Sequence, residues 1–181
     1  SVVEVSWGGP AAEGDYIDIV VNADEPGRWL NWASLGAEGQ AALLKMPPAP
    51  GEYLIRYISN QHERAVLAQR PITVTEADFV LDGPASAGPG ETVSVFWRGP
   101  GQDEDYIDFQ VAGSDVTELE PSWAWVRDGN PAQINAPIVP GDYQMRYVVQ
   151  GEVSRAVGLS IPFVVTPSNA RIVAPTAVRP G

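Results

Sequence analysis

Cysteine is absent from this 181-residue chain. That excludes a disulfide, a thiolate zinc site, an iron–sulfur cluster and a cysteine nucleophile. Histidine occurs once, at His62, in the polar run Ser59-Asn60-Gln61-His62-Glu63. A general base needs a nucleophile and an orienting group near it, and this run offers neither. Positive charge is scarce: 11 Lys and Arg stand against 23 Asp and Glu, a net charge of −12. Phosphate and anionic lipid repel such a surface, which argues against nucleic acid and against docking on acidic membranes. No apolar run reaches membrane-spanning length, so direct insertion into a membrane is not expected. No glycine-rich phosphate loop appears, because Gly88-Pro89-Gly90 lacks the lysine. Gly158-Leu159-Ser160-Ile161-Pro162 lacks the second glycine of a nucleophile elbow.

What the chain has in excess is turn formers, 18 glycines and 17 prolines. Many short strands joined by tight turns account for such a composition, and long helices do not. The 44% of hydrophobic residues suffices for a packed core. Ala33 to Leu44 is interrupted by Gly36 and Gly39, so no helix of three turns is expected.

The chain repeats itself. Val3-Glu-Val5-Ser-Trp7-Gly-Gly-Pro10 aligns with Val93-Ser-Val95-Phe-Trp97-Arg-Gly-Pro100, and Asp15-Tyr-Ile-Asp18-Ile19 with Asp105-Tyr-Ile-Asp108-Phe109. Pro50-Gly-Glu-Tyr53-Leu-Ile-Arg56-Tyr57 aligns with Pro140-Gly-Asp-Tyr143-Gln-Met-Arg146-Tyr147. A fourth block, Arg64-Ala-Val66 through Pro71-Ile-Thr-Val74, matches Arg155-Ala-Val157 through Pro162-Phe-Val-Val165 with one residue gained. The tail continues the pattern, since 172–181 resembles 81–90, the stretch that leads into the second copy. Two readings of the tail compete: it opens a third repeat, or the residue order is rotated and 171–181 precedes Ser1. Ser168-Asn169-Ala170 resembles the scar of an expression tag, which belongs at an N-terminus. Rotation is the reading adopted. It gives a first repeat of 1–75 plus 171–181, a second of 76–167, and a scar at 168–170.

Val3, Val5 and Trp7 alternate with polar residues, as do Val93, Val95 and Trp97, which is the period of a half-buried strand. Trp7 and Trp97 are therefore expected in the core. The expected fold is all-β, with two tandem immunoglobulin-like (fibronectin III-like) β-sandwich domains. The turns leading to Tyr53 and Tyr143 resemble the tyrosine corner of immunoglobulin-like domains, in which the phenol bonds back to nearby backbone. That family's second cysteine would fall at Ile55 and Met145. In that topology Asp18 faces Arg56 and Asp108 faces Arg146 across adjacent strands, predicting exposed cross-strand ion pairs on the outward face. The acidic runs around Asp15 and Asp105 lack calcium-loop spacing and are read as solvated loops. Trp29, Trp32, Trp123 and Trp125 occupy the least matched segment. They are expected to cover the core, or else to stack on a sugar ring or a partner.

The blocks Trp-x-Gly-Pro, Asp-Tyr-Ile-Asp and Pro-Gly-x-Tyr-x-x-Arg-Tyr also resemble repeats found C-terminal to von Willebrand A domains in some bacterial envelope proteins. That resemblance implies a periplasmic or extracellular location. It also implies a non-catalytic role as spacer or adhesion module, with partners among other domains of the same polypeptide or envelope proteins. A carbohydrate-binding module using the four tryptophans is the alternative, with a glycan as partner. No cofactor, metal or catalytic residue is implied.

Overall fold

In the computed structural model, residues 1–21, 29–36, 41–61, 63–114 and 122–177 are described; His62 lies outside them. The protein is all-β. Its first half contains β1 (Val2–Val5), β2 (Tyr16–Val20), β3 (Asn31–Ser34), β4 (Ala42–Lys45), β5 (Gly51–Ser59) and β6 (Ala65–Val74). Then follow β7 (Val80–Asp82), β8 (Ser86–Ala87), β9 (Thr92–Arg98), β10 (Tyr106–Val111), β11 (Trp123–Trp125), β12 (Ala132–Asn135), β13 (Gly141–Gln150) and β14 (Arg155–Val165). The helical content among the described residues is one 3-10 turn, Val126–Asp128.

Four sheets result. In the first half β1 pairs with β4, opposite a sheet of order β3-β2-β5-β6. In the second half a sheet of order β12-β9-β7 stands opposite β11-β10-β13-β14-β8. Alternation decides what points inward. Along β9 the inward residues are Val93 and Val95, with polar Thr92 and Ser94 outside. Leu44 and Ala42 from one sheet meet Ile17, Ile19, Tyr53 and Tyr57 from the other in one cluster. Val93, Val95, Ala132 and Ile134 meet Ile107, Phe109, Met145, Tyr147 and Phe163 in a second. Apolar residues from two facing sheets thus fill each core, the arrangement of a β-sandwich.

The two halves share register as well as sequence. Asp18 pairs with Arg56 as Asp108 pairs with Arg146. Both long hairpins carry a bulge at one place, between Tyr57 and Ile58 and between Tyr147 and Val148. The residue skipped there is Leu67 in one and Gly158 in the other. They differ in β7 and β8. β7 adds to the edge of β9, and β8 lies parallel to the end of β14. Among the described residues, the free edges of β1 and β6 have no such additions.

Trp7 and Trp97 pack at the core margin and are only half-buried. Each lies at the last inward position before a loop, so its ring bridges core and solvent. Trp97 uses that position to donate its indole N–H to the Gly129 carbonyl at 2.9 Å.

Candidate functional site

Two groups of polar side chains recur at matched positions, and both are buried. The first is centred on Asp15 and Asp105. Expected in solvated loops, they are 1% and 0% exposed. Asp15 accepts hydrogen bonds from the Ala12 and Asn60 backbone N–H groups at 3.1 and 3.0 Å, and from the Tyr57 hydroxyl at 3.0 Å. Asp105 accepts the same three, from Gln102, Gln150 and Tyr147. Each phenol in turn accepts from a loop N–H, of Ala11 or Gly101. The carboxylate thus replaces water for backbone donors that the turn leaves unpaired. Burial alone would push the Asp15 carboxyl up; the hydrogen bonds from Asn60, Tyr57 and Ala12 outweigh it and hold it below its ordinary value. Burial also raises the Tyr57 and Tyr147 phenols, which stay neutral donors. The recurring glycine of this loop has a steric cause. A Cβ at Gly9 or Gly99 would lie 2.8 or 2.6 Å from the ring of Tyr57 or Tyr147.

The second group is the Asp18–Arg56 and Asp108–Arg146 pairs. Arg56 Nε and Nη2 donate to the two Asp18 oxygens at 2.9 and 2.8 Å. Arg146 grips Asp108 likewise, at 2.8 and 2.6 Å. The partners are those expected, but the exposure is not: the four residues are at most 1% exposed. β2 and β10 are central strands whose second face is also covered, so an outward side chain there does not reach water. Tyr16 and Ile58, and Tyr106 and Val148, are buried on that face beside the ions.

Part of the cover is tryptophan. Trp32 stands opposite Asp18 in the β2–β3 pair, and Trp123 opposite Asp108 in the β10–β11 pair. Trp32 meets Tyr16 edge-on with centroids 6.1 Å apart, and Trp29 lies 6.0 Å from Trp32. Trp125 meets Tyr106 edge-on at 6.0 Å and Trp123 at 4.7 Å, with the Arg127 guanidinium 4.7 Å over its ring. These indoles lie outside the two cores, contrary to the reading that has them covering the core. Trp32 and Trp123 remain 45% and 36% exposed. They screen a charged pair from water and keep an open aromatic face.

The expected tyrosine corners form: Tyr53 donates to the Ala49 carbonyl at 2.9 Å and Tyr143 to that of Val139 at 3.0 Å. Met145, in the position of the missing cysteine, is fully buried.

No protein-family model, curated protein or solved structure matches this chain.

Proposed function

We propose that the chain is a pair of tandem immunoglobulin-like sandwich modules, non-catalytic, acting as spacer or adhesion repeats of a larger bacterial envelope or secreted protein. One observation carries this reading. The charged and phenolic groups of each half are closed on one another, at the same positions twice, so the duplicated chemistry serves the frame. A reactive site needs groups poised toward a cleft, whereas Asp15, Asp18 and Arg56 point into filled space. The von Willebrand A-associated type of repeat, a periplasmic or extracellular setting, and partners among neighbouring domains belong to the same proposal. Forced extension of single molecules tests it. Two separate unfolding events are expected, each releasing about 280 Å of chain for some 90 residues; one merged event sinks the modular reading.

The exposed rings of Trp32 and Trp123 favour a second reading, glycan binding by stacking. Titration with oligosaccharides, followed by indole fluorescence, separates the two. A saturable change lost in both Trp32→Ala and Trp123→Ala would favour the glycan.

A further inference from the structure

Side chains that recur in both halves build the frame. Chemistry held by one half alone has no such duty, and it gathers in the second half. Trp125 pairs with Tyr106 where Ser34 pairs with Tyr16. Val126 donates its N–H to the Asp105 carbonyl as Leu35 does to that of Asp15, so the next residue, Arg127, stands where the first half has Gly36. Glu104 precedes Asp105 where Gly14 precedes Asp15. The hairpin from Gln150 to Arg155 is one residue longer than that from Asn60 to Arg64, and it carries Glu152.

Glu104, Trp125 and Glu152 line one hollow of about 260 Å³, together with Gln150, Gly151 and Arg155. Arg127 lies over the Trp125 ring, 4.7 Å from its centroid, and donates to the Asp103 carbonyl at 3.1 Å, which pins the indole. Arg155 Nε donates to Gln150 Oε1 at 2.7 Å, and the Gln150 amide donates to the Gly151 carbonyl at 2.7 Å. That arginine contact belongs to the frame, since Arg64 makes it with Asn60 in the first half. Glu104 accepts from Lys45 Nζ at 2.8 Å. These walls are held before a ligand arrives, which lowers the ordering cost of binding. The Trp125 indole N–H and the Glu152 carboxylate bond to no other described residue.

We propose that this hollow binds one ring of a neutral pyranose glycan. The proposal rests on the glycan reading above and gives that reading a place in the molecule and a class of sugar. An indole wall takes the C–H face of a sugar ring, and polar groups around it take the hydroxyls. A hydroxyl both donates and accepts. Both kinds of partner are present, since Glu104 and Glu152 accept while Arg155 and the Trp125 N–H donate. Charge selects against acidic sugars. Two carboxylates line the hollow, Asp103 and Asp128 neighbour Glu104 and Arg127 in the chain, and the whole chain carries −12. Arg127 and Arg155 do not offset them, so an anionic ligand is repelled on approach. The planes of Trp123 and Trp125 meet at 71°, so a flat run of sugars cannot lie on both indoles and the hollow engages a single ring.

Calorimetric titration of the full chain with maltohexaose, cellohexaose, xylohexaose and mannohexaose is expected to show saturable binding of at least one. Hexagalacturonate at the same concentration is expected not to bind. Trp125→Ser, which installs the residue that the first half carries at that place, is expected to weaken binding about tenfold. Glu152→Ala, on an exposed hairpin where folding does not depend on it, is expected to weaken it about threefold. Wild-type affinity in Trp125→Ser or in Glu152→Ala, or equal binding of hexagalacturonate, overturns the proposal and leaves the glycan reading to the open faces of Trp32 and Trp123. A wild-type chain that binds none of the neutral sugars overturns the proposal and the glycan reading together.

Discussion

At the scale of single residues, the buried Asp–Arg pairs and the capped Asp15 set the behaviour of the frame. A buried pair contributes little over an apolar replacement, yet breaking it strands a charge. Arg56→Met is expected to cost about 3–5 kcal/mol, and Asp18→Leu with Arg56→Met to recover most of it; chemical denaturation of the four-member cycle measures the difference. Asp15 gives a pH signature. Its carboxyl is held low in the folded chain, so its contribution is complete above the unfolded value of about 3.9 and fades as pH falls through the folded one. The stability gap between wild type and Asp15→Asn should therefore shrink as pH drops below about 4. An unchanged gap from neutral pH to pH 3 contradicts this assignment. The Asp18–Arg56 and Asp108–Arg146 partnerships are legible once the resemblance to an immunoglobulin-like topology makes their strands neighbours, alternation then setting them on one face. Their burial is not, because it depends on what lies over the outer face of a central strand. The Asp15 and Asp105 carboxylates mislead for a related reason: a short acidic run reads as solvated until the returning hairpin brings Asn60 or Gln150 and a phenol to it.

At the scale of elements, the halves differ by one added segment. β7 and β8 close the second sandwich, and Leu81 plugs it. Leu81→Ala is expected to cost about 2–5 kcal/mol; faster amide exchange along β9 and β14 checks it. The strands carrying Trp-x-Gly-Pro and Pro-Gly-x-Tyr are readable in the sequence, since period-2 alternation and turn residues fix them locally. The short β3 and β11 are not, because they are ordered by pairing with β2 and β10. For the same reason the tryptophans they carry face outward, beside the ion pairs.

At the scale of the whole molecule, two clusters of buried residues share no members, so their stabilities should separate. Calorimetry is expected to resolve two transitions. Leu44→Ala should move only one transition and Ile134→Ala only the other, each by a cavity cost of about 2–5 kcal/mol. A single transition shifted by both substitutions contradicts independent cores. By itself the sequence determined the internal likeness of the two halves and the strand-rich composition, which depend on period and spacing; the cross-strand partners and the tyrosine turns followed from the resemblance to immunoglobulin-like domains. Only the tertiary structure decided which charges are dry and where the indoles face. Burial is a property of what lies on the far side of a strand, and the residues that supply it are distant in the chain.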